Sequence, residues 1–169
     1  MEEPVKKLTD ANQIVMKYTS ISMGAGLIPI PIVDLAAVTG IHLKMLHSLT
    51  KLYEIPFSAN LGKSIIGTLI GSIAPTSATA GVIASLSKLI PIGGTTTGMI
   101  VMSTFGSAST YALGKVFIQH FESGGTLLTF DPTKMTKYFK EKFEQRKTQS
   151  ESQPEPTQPE PTQPEPATP

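Results

Sequence analysis

The chain has 169 residues and a formal net charge of +1. Only 16% of its residues are charged, and it contains neither cysteine nor tryptophan. The near-neutral balance gives no whole-chain argument for nucleic acid or acidic substrates, and the missing thiols exclude disulfides, thiolate chemistry and cysteine-based zinc sites. The length suggests one domain, and the charge content falls below the roughly 25% of ordinary soluble domains.

The N-terminus, Met1-Glu2-Glu3-Pro4, is acidic and no apolar core follows it, so no secretory signal is expected. A first helix is predicted from about Thr9 or Asp10, either able to cap it, with a stripe of Ile14, Val15, Tyr18, Ile21 and Ser22. It should stop near Gly24 or Gly26. Pro29 and Pro31 forbid a continuous helix through the next stretch. An extended apolar linker is expected there, then a helix starting near Pro31 with Asp34 in its first turn. Asp34 reads as a helix-start carboxylate at the positive end of the dipole, the alternative being an ion or substrate site.

The second helix should run to Glu54. Leu35, Val38, Ile41, His42, Met45, Leu46, Leu49 and Leu52 recur at three- and four-residue spacing, opposite His47, Ser48, Lys51 and Glu54. His42 and His47 are five apart and do not share a helical face, so no metal pair is expected. Pro56 breaks the chain, and Ser58 or Asn60 can cap the next helix.

From Lys63 to Lys115 the one intervening charge is Lys88, which separates two bare runs, residues 64–87 and 89–114. Each is longer than the ~20 helical residues needed to cross a bilayer. The first contains Gly67 and Gly71 in a G-x-x-x-G, a spacing that lets two apolar helices approach closely. Pro75 kinks that run or ends its first half, and in the latter case the run is too short to cross. Leu89-Ile-Pro-Ile-Gly-Gly-Thr-Thr-Thr97 reads as a turn, followed by a helix to about His120 that Gly124 and Gly125 end. Thr104, Ala108 and Ala112 form a small-residue strip suited to the Gly67/Gly71 face. Gly67, Gly71, Ala108 and Ala112 are also the residues expected to serve any homo-oligomer.

Phe130-Asp131-Pro132 is a helix start, with a capping Asp and Pro at the first position. Met135, Tyr138, Phe139 and Phe143 lie on one side of this helix. Lys134, Lys137, Lys140, Lys142, Arg146 and Lys147 outnumber Asp131, Glu141 and Glu144. Such a helix suits an anionic lipid surface or, equally, packing on a soluble domain with its charges solvated. From Gln149 the Pro-Glu-Pro-Thr-Gln repeats favour extended polyproline II and carry too little apolar surface to fold.

Leu61-Gly62-Lys63-Ser64 imitates the end of a phosphate-binding loop, but Phe57 stands where the motif needs its first glycine. No G-x-S-x-G occurs, and Asp34, His42, His47, Glu54, His120 and Glu122 show no catalytic spacing. No catalytic, cofactor or metal residue is therefore assigned, and a non-enzymatic role is expected. Lysines other than Lys88 fall outside the two runs. If the runs form a hairpin, the charge bias places both chain termini in the cytoplasm.

The Gly24–Asp34 segment, the helix ending at Tyr53, the Leu89–Gly93 turn and Thr110-Tyr-Ala-Leu-Gly-Lys115 resemble the YcjF-like bacterial family. The resemblance spans about residues 10–123. It implies an all-helical, membrane-associated domain of unknown function that works beside GTPases. This chain lacks a fused GTPase domain, so a GTPase partner would act in trans. The expected architecture is all-α: about five helices with a central Gly/Ser/Ala-rich apolar hairpin over residues 1–148, then a disordered tail over 149–169. The expected role is an anchor or adaptor binding membrane lipid at the cytoplasmic face. The rival is a soluble bundle that binds a partner, a small ligand or lipid.

Overall fold

The computed structural model describes residues 2–25, 33–73 and 95–152. They form five helices: α1 (Glu2–Ala25), α2 (Val33–Leu52), α3 (Ala59–Gly71), α4 (Thr95–Glu122) and α5 (Pro132–Glu151). Among the described residues there is no strand, and the fold is all-α. The Pro29/Pro31 linker, Pro75, Lys88, the Leu89–Gly94 part of the expected turn and the repeats from Gln153 lie outside the described residues, as does the Asp34 side chain.

Local chemistry sets the helix ends. α1 starts a full turn or more before Thr9, because Glu2, Glu3 and Pro4 are favourable first-turn residues. Thr9 is therefore inside the helix, its hydroxyl donating to the Val5 carbonyl at 2.9 Å. Ser58 caps α3 by accepting from the Leu61 amide, and Asp131 caps α5 by accepting from Thr133 and Lys134, with Pro132 at the first position. α4 ends in a Schellman turn. Gly124 sits at φ 78°, its amide donates to the Phe121 carbonyl, and the Gly125 amide donates to the His120 carbonyl.

α2 ends in the same turn with a different residue. Glu54 takes φ 58°, its amide donates to Lys51, and the Ile55 amide donates to Thr50. A side chain in this left-handed conformation costs about 1 kcal/mol that glycine avoids. Glu54→Gly is therefore expected to raise the urea midpoint, with a gain of about 1 kcal/mol. A lower midpoint would show that the Glu54 side chain has a stabilising role that outweighs the strain.

α4 is the central element. One side packs on α1, another on α5, and α2 and α3 close the remaining flank. The core contains Val15 of α1, Met45, Leu46 and Leu49 of α2, Ile65, Ile66 and Leu69 of α3, Leu113, Val116 and Phe117 of α4, and Phe139 and Phe143 of α5. Leu127 and Phe130 of the α4–α5 connection join it.

The described residues bear on two expectations about the bare runs, whose residues 74–94 lie outside those described. The first concerns spanning: among the described residues no helix is long and apolar enough to cross a membrane. α3 ends at Gly71, three residues short of Ala74, and its 13 residues rise only about 20 Å. α4 is long, but Ser103, Ser107, Ser109 and Thr110 lower its hydropathy and are buried inside the protein.

The second concerns the small-residue faces. Gly67 and Gly71 are exposed, with nothing near an added Cβ. The close approaches are made by Gly106 and Gly114 of α4 against α1. Ala108 and Ala112 are fully buried on the α4 side shared with Phe105, whose ring meets Phe143 of α5 at 5.6 Å. Buried in this way, Ala108 and Ala112 do not pack on the exposed Gly67/Gly71 face.

Candidate functional site

Two places on this scaffold concentrate polar chemistry. The first is a buried centre where α1, α2 and α4 meet. Gly106 brings α1 close enough that an added Cβ would sit 3.3 Å from the Ser22 carbonyl oxygen. That closeness sets Ser22 Oγ 2.7 Å from Thr110 Oγ1, and His42 Nε2 reaches the same oxygen at 3.0 Å. The Thr110 hydroxyl donates to the Gly106 carbonyl at 2.8 Å. Its oxygen is then left as acceptor for both Ser22 and His42, so His42 carries its proton on Nε2. Nδ1 is buried and has no hydrogen-bond partner. Ser103 adds a bond to the Met23 carbonyl at 2.8 Å.

Burial holds the His42 imidazole neutral, with its pKa lowered from 6.5 to about 4. A hydroxyl against an imidazole has the outline of a nucleophile and base. Here the imidazole donates instead of accepting, no carboxylate orients it, and Ser22, His42 and Thr110 are all 0% exposed. The arrangement couples three helices through side chains that are closed off from solvent. Sequence spacing missed it because Ser22, His42 and Thr110 come from three separate helices. The available signal was a histidine on the apolar face of α2.

The second place is the outer seam between α4 and α5. Phe139 and Phe143 turn inward, which leaves Lys134, Lys137 and Lys140 exposed. Carboxylates lie near Lys134 (Asp131, 3.6 Å), Lys142 (Glu141, 3.5 Å) and Lys147 (Glu144, 3.9 Å). Lys137, Lys140 and Arg146 have no ion pair among the described residues. Tyr111 lies under two cations, Lys115 Nζ at 5.4 Å and Arg146 Cζ at 5.7 Å from its ring centre. Lys142 Nζ lies 5.2 Å from the Tyr138 ring. Lys115 donates to Asn12 Oδ1 of α1, and its pKa is lowered by burial and by the positive charge of Lys142.

The remaining sequence candidates are scattered. Gly62 is a packing residue inside α3, where an added Cβ would meet Leu46 and Leu43 at 3.0 and 3.1 Å. Its amide donates to the Ser58 carbonyl, so it belongs to the helix and not to a phosphate cradle. His47 is exposed and stacks near Phe57 at 4.7 Å. His120 bonds to the Thr126 carbonyl oxygen at 2.9 Å. Glu122 accepts from Tyr53 across the α2 and α4 ends, and burial followed by this carboxylate raises the Tyr53 pKa. No group of three His, Asp or Glu among the described residues is placed to hold a metal.

A helical domain with a closed polar centre and a cationic outer seam is the class these features define. The chain belongs to the family described as Domain of unknown function (DUF697), whose match covers residues 6–148. It is similar to Magnetosome membrane protein 22 of Magnetospirillum gryphiswaldense, with 38% identity over 137 residues, 81% of this chain and 70% of that protein. No solved structure matches the chain.

Proposed function

We propose that this protein is a non-enzymatic anchor or adaptor that works at a membrane surface. The observation carrying this reading is the division of labour on α5: its aromatic face is used in the core, while Lys137 and Lys140 are solvent-facing without a carboxylate partner among the described residues. A relative named as a magnetosome membrane protein supports the membrane setting. Should residues 64–114 enter the bilayer as a hairpin, the lysine distribution would favour both chain termini on the cytoplasmic side. The resemblance to the YcjF-like family adds a separate GTPase, acting in trans, as the partner class.

Cations at an anionic lipid surface contribute roughly 1 kcal/mol each. Lys137 and Lys140 together favour such vesicles by about thirtyfold. Co-sedimentation with phosphatidylglycerol and phosphatidylcholine vesicles tests this. Binding should be confined to the former and should weaken as salt screens it. Equal absence of binding to both would remove the membrane reading. The rival is a bundle whose role is to bind a protein or small ligand in solution. It is favoured by the absence, among the described residues, of a helix fit to cross a bilayer.

A further inference from the structure

We propose that Lys115, Lys142 and Arg146 form a binding site for a phosphate-type oxyanion in the seam between α4 and α5. The residues are spaced for it. Tyr111 and Lys115 are one turn apart on α4, and Tyr138, Lys142 and Arg146 follow at one-turn intervals on α5. Each helix thus presents a tyrosine ring with cations beside it, and the two sets meet at Tyr111.

Three cations are drawn together where like charges repel. Lys115, Lys142 and Arg146 are half-buried, and burial weakens the solvation that would offset the repulsion. Protein groups neutralise the cluster incompletely. Glu141 lies 3.5 Å from Lys142, Asn12 offers Lys115 only a neutral oxygen, and Arg146 is without an ion pair among the described residues. Arg146 Nε is also buried with no hydrogen-bond partner. A guanidinium N–H without a hydrogen-bond acceptor, on the same tyrosine ring as Lys115, matches a tetrahedral oxyanion. Such an anion takes charge-assisted bonds from arginine and lysine together.

The anion is a phosphate, either free in solution or part of a lipid headgroup. The headgroup source rests on the membrane reading above, and the free source does not. The test uses the full chain and two double variants of equal charge change: Lys142→Gln with Arg146→Gln in the seam, and Lys137→Gln with Lys140→Gln on the exposed face. Thermal unfolding is followed against inorganic phosphate, with chloride at matched ionic strength as the reference. Phosphate should raise the wild-type midpoint above chloride. The exposed-face variant should keep that rise, and the seam variant should need roughly tenfold more phosphate to show it.

Vesicle co-sedimentation then separates the sources. A seam variant that loses more phosphatidylglycerol binding than the exposed-face variant identifies the headgroup. A phosphate response weakened in the seam variant, without vesicle binding, keeps the site, assigns it to free phosphate and discards the membrane reading. Vesicle binding lost equally in both variants, with no phosphate response, keeps the membrane reading and overturns the site. Phosphate also stabilises proteins generally by exclusion from their surfaces, so the contrast between variants decides the proposal. Should the double seam variant fail to fold, the single Arg146→Gln variant is compared with Lys140→Gln in its place, and an equal phosphate response in the two overturns the site.

Discussion

Gly114→Ala is expected to destabilise the protein by about 3 kcal/mol. An added Cβ would lie 2.6 Å from Val15 Cγ1 and 3.0 Å from Val15 Cβ, and closer still to Cγ2. Val15 is fully buried and β-branched, so its side chain has no free rotamer to retreat into. The whole of α1 must move, and overpacking of this kind costs a few kcal/mol. That movement also pulls Ser22 away from Thr110, because both contacts lie along the same α1–α4 seam. Removing the obstruction should rescue the change. In a Val15→Ala background, Gly114→Ala should cost less than about 1 kcal/mol in urea unfolding. Equal cost in both backgrounds would mean that α1 does not pack here.

The second large effect is a loss of stability in mild acid, set by His42. Its folded pKa of about 4 lies below the ordinary value of 6.5. Above 6.5 the imidazole is neutral in both states and the buried centre is intact. As pH falls from 6.5 to about 4 the unfolded chain takes up a proton that the folded chain refuses. Unfolding is favoured progressively, by roughly 3 kcal/mol once both pKa values are passed. Protonation in the fold would place an N–H at Nδ1, where no acceptor lies, in a site walled off from water. Urea unfolding at several pH values across this window should show the decline. His42→Leu should flatten it, at some cost in stability at neutral pH. A slope unchanged by that substitution would assign the acid sensitivity to other groups.

Much of the fold is legible in the residues that start and stop helices. Asp131-Pro132 and Gly124 are local signals, read by the same backbone geometry wherever they occur. The periodic stripe of α2 likewise predicts Met45, Leu46 and Leu49 in the core, where they lie. Glu54 at a helix C-terminus is less legible, since nothing in its side chain announces a left-handed backbone.

Partner choice is not a local property. The Gly67/Gly71 spacing is a sound signal for close helix contact, yet these glycines face outward. Gly106, Thr110 and Gly114 have the same four-residue spacing and receive α1 instead. Spacing identifies a face that another helix can approach; the rest of the core decides which face is used. The paucity of charge from Lys63 to Lys115 suggests lipid contact when taken from the sequence alone. In α4 it reflects a central helix surrounded by protein, with its serines and threonines hydrogen-bonded internally. The Lys115–Lys142–Arg146 seam was only half visible. The basic residues of α5 were evident, but the contribution of α4 depends on how the two helices cross.

In the proposed function the exposed face of α5 meets anionic lipid while its aromatic face remains in the core. The chain has no native cysteine, so one introduced thiol can be labelled without background. Thr133 is exposed one turn before Lys137, and its replacement leaves every charge in place. With a polarity-sensitive fluorophore on Thr133→Cys, phosphatidylglycerol vesicles should shift the emission to the blue, and high salt should reverse the shift. An emission spectrum identical in buffer, in neutral vesicles and in anionic vesicles would contradict the account.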